Sequence, residues 1–291
     1  MLDYYVEKHY IYVFSNTLKL TIVADNNDPF DFTGNSGDFH SYNDPASGKR
    51  ITARNGGPTR KQFKEDPNYA RARERSNEFG GRSIWSSLFK KSLSDLDHLM
   101  HIRCFNEIMK GGRQIQQMEP DGIHGYRPIS VINNPGALAM IDFNQSHPFR
   151  NIIRIAHELT LSDDKTTVTL HIPDFITSRD VRWALKFFAV RIYMVIAQIS
   201  DVCWNPVLEV YQPIVPDLEI LSQCVVSPWM VQNNVPNDVL LEASFEEPAF
   251  TTPGTSVVVA MGVEISLQAI MGQAYVTPRN GSLAIVGYFP K

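Results

Sequence analysis

Apolar positions along the chain change spacing in three places. Tyr10, Tyr12 and Phe14, then Leu18, Leu20 and Ile22, alternate with polar neighbours and predict two short strands. Residues 25–48 are rich in Asp, Asn, Gly, Ser and Pro, which predicts a loop or linker with little apolar surface to bury. Helix signals begin at Thr59, which stands at capping-box spacing from Gln62. Asp66-Pro67 offers an N-cap and a first helical residue, and the helix it opens is expected to stop at Gly80-Gly81. A third helical piece spans Ile84 to Leu93. A fourth starts at Ser94, carries Leu96, Leu99, Ile102, Phe105 and Met109 on one face, and is expected to end at Gly111-Gly112.

After Gly112 the spacing becomes that of strands. Ala137 to Phe143, Ile152 to Leu161 and Thr166 to Ile172 are short apolar runs between turn residues, the last two forming a hairpin over Asp163-Asp164. Val190 to Ile199 is apolar on both faces, as in a central strand covered twice. Val207 to Tyr211, Leu218 to Val226 and Ser256 to Leu267 follow. Ala274 to Val276 and Ser282 to Phe289 flank Asn280-Gly281, a hairpin signal. The expected fold is α+β: a helical N-terminal region followed by an antiparallel β-sandwich or barrel. The expected organisation is strands and an acidic loop over 1–48, helices over 49–113 and the β domain over 114–291.

Charge sharpens this division. Residues 49–113 hold fifteen of the twenty-seven lysines and arginines against seven acids, so the helical region is basic. Residues 192–278 hold no lysine or arginine and nine acids. Such a split often serves a partner. The overall net charge of −4 hides it, while 43% hydrophobic and 20% charged residues are ordinary for a folded protein.

Cys104, Cys203 and Cys224 show no paired spacing, which speaks against a disulfide framework or zinc ribbon and suits a reducing, cytoplasmic location. The apolar residues 9–24 are broken by Asn16 and Lys19 and lack a cleavage signature, so a signal peptide is not expected. No run is long enough for a membrane span, since residues 183–200 include Lys186 and Arg191.

Catalytic patterns fail one by one. His98, His101 and Cys104 share a helix, but a structural zinc needs a fourth ligand that no second pair supplies. His157-Glu158 opens like a zinc-protease motif, yet Leu161 stands where the second histidine belongs. Asp25, Asn27, Asp28 and Asp31 lack the order of a calcium loop. Phosphate-loop, nucleophile-elbow and dinucleotide fingerprints are absent from the sequence. No cofactor and no catalytic residue is expected. Trp183, Trp204 and Trp229 offer a platform for a sugar, although aromatic residues in strands commonly serve the core.

What survives is the basic block. Arg60, Lys61, Lys64, Arg71, Arg73, Arg75 and Arg82 lie on or beside helices with Phe63, Tyr69, Phe79 and Trp85 between them. They suit an acidic protein surface, including one on another copy, or nucleic acid phosphates, or else a solvated helical face on which Glu74 and Glu78, each three residues on, pair with Arg71 and Arg75. The segment Thr59-Arg60-Lys61-Gln62, Asp66 to Glu74 and Ser76 to Gly81 resembles a family of uncharacterised bacterial proteins with the elements T-R-x-Q, D-P-x-[FY]-x-R-x-R-E and N-x-E-F-G-G. In this chain Ser76 stands at the place of that asparagine, and Asn77 follows it. The resemblance covers about residues 49–115, with a fainter echo in the closing strands. It implies an order of helices before a β domain and no activity. The expectation is a non-enzymatic structural or assembly protein that self-associates, with nucleic-acid binding as the alternative.

Overall fold

The computed structural model describes residues 23–25, 32–119, 122–164, 166–215, 221–245, 253–270 and 273–290. The two strands expected over residues 10–22 lie outside the described residues. The chain falls into two units, Met1–Thr59 and Arg60–Lys291; the sequence pattern had suggested divisions at 48 and 113.

The first unit contains β1 (Val23–Asp25), β2 (Gly34–Ser36), β3 (Phe39–Asn43) and β4 (Arg50–Arg54), which form an antiparallel sheet in the order β1-β4-β3-β2. Part of the loop expected over residues 25–48 is therefore strand. Gly37, with φ near +55°, makes the tight β2–β3 turn that its Asn/Ser/Gly-rich surroundings suggested only as irregular chain. Arg50 and Arg54, counted with the basic helices in the sequence, also sit on a strand.

The second unit begins with α1 (Arg60–Glu65), a 3₁₀ turn at Pro67–Tyr69, and α2 (Ala70–Ser92). Asp66 caps the 3₁₀ turn by accepting from the amide of Asn68 at 2.9 Å. A second 3₁₀ segment, Ser94–Leu99, leads to α3 (Cys104–Met118). The helix expected to run from Ser94 to Met109 is thus two elements. Both glycine pairs lie inside helices and end neither. A Cβ on Gly81 would stand 2.6 Å from the Tyr211 ring, and one on Gly111 would stand 2.6 Å from Ile141. These glycines are notches for close packing, a use that looks in sequence like a stop signal.

The remaining elements are α4 (Phe149–Ile152), β5 (Glu158–Leu161), β6 (Thr167–Phe175), α5 (Thr177–Asp180), β7 (Ala189–Ser200), β8 (Val202–Asn205), β9 (Val210–Pro213), β10 (Ser222–Val226), β11 (Met230–Val231), β12 (Asn237–Ser244), β13 (Thr255–Ser266), β14 (Gln268–Ile270), β15 (Gln273–Tyr275) and β16 (Gly281–Pro290). The fold is α+β, with antiparallel sheets. The main sheet runs β10-β7-β13-β16, with β11 also pairing β7, and a smaller sheet runs β12-β6-β5. The predicted β5–β6 hairpin is present.

Four expectations differ, and of residues 152–161 only Glu158–Leu161 is strand, because Ile152 closes α4 and irregular chain follows it. Residues 137–140 belong to a 3₁₀ helix, Pro135–Met140, because Asn134-Pro135-Gly136 starts a tight turn that buries Ala137 and Leu138. Residues 206–209 form the turn between β8 and β9, where Asn205 accepts from the amides of Val207 and Leu208. Asn280-Gly281 joins no two-strand hairpin: β16 pairs with β13, while β15 pairs with β14.

Period-two alternation in β7 and β13 builds two cores. On one face Tyr193, Val195, Ala197, Val258 and Ala260 meet Trp85, Phe89, Leu96 and Ile108 of the helical layer. On the other, Ile192, Met194, Ile196, Val259 and Met261 meet Val168, Leu170, Val239 and Leu241 of the small sheet. Val190 to Ile199, apolar on both faces apart from Arg191 and Gln198, is the doubly covered strand that this pattern predicts. The main sheet is the middle layer, with helices on one side and the small sheet on the other. Among the described residues, no helix is long and apolar enough to cross a membrane.

Candidate functional site

In α2, Arg75, Glu78 and Arg82 stand at i, i+3 and i+7, which places them along one helix face. α3 runs beside α2 and adds Arg113 and Gln117, one turn apart. The helices approach closely because a Cβ on Gly112 would meet the Trp85 ring at 3.1 Å. Residues 122–127 close the third side. Gly125 turns there with φ near +94°, in a space where a Cβ would lie 2.9 Å from Glu74. Together Arg75, Glu78, Arg82, Arg113, Gln117, His124 and Arg127 line a cleft of about 450 Å³.

Its floor is a satisfied polar network. Glu78 is 4% exposed. It accepts from Arg127 Nε at 2.7 Å, from Arg127 Nη2 at 2.9 Å and from the Gly125 amide at 2.9 Å. Burial works to raise the Glu78 pKa, but the hydrogen bonds from Arg127 and Gly125 outweigh it and hold the carboxyl below its ordinary range. The same bond raises the Arg127 pKa. Gln116 donates to the Arg127 carbonyl at 2.8 Å, and the Tyr211 hydroxyl donates to it at 3.0 Å.

The other guanidiniums are poorly compensated. Arg82 reaches the Gln116 side chain at 3.4 Å and lies 5.8 Å from the Phe79 ring centre. Burial pushes its pKa down, the charge of Glu78 opposes this, and Arg113 adds to the drop. Among the described residues, no carboxylate forms an ion pair with Arg75, Arg82 or Arg113. Glu74, at the rim, is engaged by Arg71 at 3.0 Å and His124 at 2.9 Å.

The sequence-derived cations therefore divide. Arg60, Lys61 and Lys64 are exposed on α1. Arg71 is exposed and pairs with Glu74. Arg73 turns inward, and its Nη1 donates to the carbonyls of Phe63 at 2.7 Å and Asp66 at 2.9 Å, strapping α1 to α2. Arg75 and Arg82 enter the cleft. Arg113, His124 and Arg127 were not singled out in the sequence. Reading Gly111-Gly112 as a helix end hid the first, and the other two come from a loop far along the chain.

A second polar cluster spans the main sheet. Glu264 is 1% exposed and accepts from Arg191 Nε at 2.7 Å and from the Tyr193 hydroxyl at 2.8 Å. The Arg191 guanidinium also lies 4.5 Å from the Trp229 ring centre. Burial, then the bond to Glu264, pushes the Tyr193 pKa well above its ordinary value. His98 Nε2 stands 3.5 Å from Glu264, while Cys104 is buried against Met100, so the three helical candidates for metal part company. Among the described residues, no three His, Cys, Asp or Glu side chains gather as metal ligands. Trp204 packs toward the helical core and Trp183 toward the other, so they share no platform.

No protein-family model matches the chain, and searches of curated proteins and of solved structures found no match either.

Proposed function

We propose that the protein is a non-enzymatic assembly protein that associates head to tail with further copies of itself. The observation that carries this reading is the charge of the two outer layers. α1, α2 and α3 hold eleven lysines and arginines against four acids. β5, β6 and β12 hold Glu158, Asp174, Asp238 and Glu242 and no lysine or arginine. α2 and α3 cover one side of the main sheet and the small sheet covers the other, so the opposite charges look away from each other. Two such faces on one copy suit a heterologous contact, which closes into a ring or extends as a filament. We also read the two facing sheets as a β-sandwich that serves as a rigid spacer between these surfaces.

Part of the acidic stretch is not available to a partner. Asp201 is buried and accepts from Ser130 at 2.6 Å and Val131 at 2.9 Å, and Glu264 is held by Arg191. The surface reading therefore rests on Glu158, Asp174, Asp238 and Glu242. Sedimentation velocity across a salt series tests it. Particles larger than the 32.9 kDa chain at low salt, shrinking as salt rises toward 1 M where screening acts over about 3 Å, are expected. A monomer at low salt and high concentration defeats the reading.

Nucleic-acid binding is the second reading, supported by the exposure of Arg60, Lys61 and Lys64 on α1, which Arg73 straps to the helix that carries Arg75 and Arg82. It requires a mobility shift with DNA or RNA that fades steeply with salt. No shift at low salt removes it.

A further inference from the structure

The cleft itself makes a statement that the assembly reading does not use. Its one described carboxylate, Glu78, is already saturated by Arg127 and the Gly125 amide. Arg75, Arg82 and Arg113 thus bring three positive charges to a space of about 450 Å³ with no described carboxylate paired to them. Like charges held this close repel unless an anion joins them, and a half-buried guanidinium loses part of its hydration as well. A planar carboxylate is satisfied by one bidentate arginine and a single amide, as Glu78 shows. Several arginines converging from α2, α3 and a loop suit a tetrahedral oxyanion that accepts from more than one direction and carries more than one charge.

Size and lining narrow the ligand. A volume of about 450 Å³ falls in the range of small-molecule sites, about 300–1,000 Å³, and exceeds what a single phosphate needs. Apart from His124, the lining offers no aromatic face on which a base would stack. Recognition would therefore run through the phosphates. The floor is pre-organised too, because Gln116 and Tyr211 fix the Arg127 backbone that closes the cleft.

We propose that this cleft is a binding site for a small polyphosphate anion, a pyrophosphate or the phosphate tail of a larger metabolite, held by Arg75, Arg82 and Arg113 with His124 at the rim. The inference stands on the cleft alone, and a strictly monomeric protein that binds pyrophosphate would leave it intact.

Isothermal titration calorimetry of the full chain with pyrophosphate at low ionic strength tests it, with acetate and a short DNA duplex as separate titrants. One site per chain is expected, with at least tenfold weaker binding in Arg75→Ala and in Arg113→Ala. Both residues are exposed, so these variants keep the fold, and an unchanged urea midpoint verifies this. Arg113→Lys retains the charge but not the fork, and a loss intermediate between the protein and Arg113→Ala is expected. Comparison of pyrophosphate with an organic diphosphate bearing the same tail separates a free anion from a tethered one. The proposal is overturned by absence of binding up to about millimolar pyrophosphate, by unchanged affinity in both alanine variants, by acetate binding equally well, or by binding of the duplex without pyrophosphate.

Discussion

Glu78 and Arg127 show how one ion pair serves both stability and the cleft. With Glu78 5% and Arg127 17% exposed at the side chain, neither is free to rehydrate when the other is removed. Glu78→Ala is therefore expected to cost about 3 kcal/mol in urea unfolding at neutral pH, since it strands a guanidinium and the Gly125 amide. The pH dependence has a definite sign. The folded pKa of Glu78 lies below its unfolded value of about 4.3, so its stabilisation is complete above that pH and vanishes as pH falls through the folded value. The stability gap between the protein and Glu78→Gln is expected to narrow as pH falls below the ordinary glutamate value and to close only below the lowered folded value; a gap that widens in acid contradicts the assignment. At this scale the sequence disclosed only half of the site. Arg75, Glu78 and Arg82 are visible as a helical stripe. Arg127 lies 49 residues from Glu78, and nothing in a local pattern of charges encodes a contact at that distance.

The glycine pairs at the element scale separate two meanings of the same residue. Gly80 has open space around its missing Cβ, whereas Gly81 faces the Tyr211 ring at 2.6 Å, and both lie inside α2. Gly80→Ala should stabilise the protein by about 1 kcal/mol through helix propensity. Gly81→Ala should destabilise it by about 1–3 kcal/mol through overpacking. Tyr211 cannot swing away freely, because its hydroxyl holds the Arg127 carbonyl. Thermal unfolding of the two variants decides the matter, and shifts of the same sign would refute the notch. Strands were more legible than helix ends. An apolar run such as Val190 to Ile199 states its own burial on both faces, and β6 alternates visibly. A stop signal and a packing notch are both written Gly-Gly, and only the neighbour across the gap distinguishes them. The same limit applies to Asn280-Gly281, whose turn is real although the strand it serves, β16, finds its partner in the more distant β13.

At the scale of the second unit, layering sets the basic helices α2 and α3 and the acidic small sheet on opposite sides of the main sheet, although only β12 of that small sheet comes from the cation-free segment 192–278. The sequence shows two segments of opposite sign, but not that α2, α3 and the small sheet sit on opposite sides of β7 and β13. That follows from long-range pairing and from the two faces of β7, which alternate between the cores. Opposed faces make a prediction that a symmetric dimer does not share. A variant with Lys61, Lys64 and Arg71 changed to alanine keeps the acidic sheet but loses part of the basic face. A second variant, with Glu158, Asp238 and Glu242 changed to glutamine or asparagine, keeps the basic face alone. These positions are exposed, so each change is expected to shift folding stability by no more than about 0.5 kcal/mol. Alone, each variant is expected to sediment as a monomer at low salt. Mixed, they are expected to pair through the one surviving combination of faces and to stop there, because neither free end of the pair can extend. A two-fold symmetric interface would instead pair each variant with itself or not at all. Sedimentation of the mixture as a heterodimer supports head-to-tail assembly, and a mixture that stays monomeric argues against it.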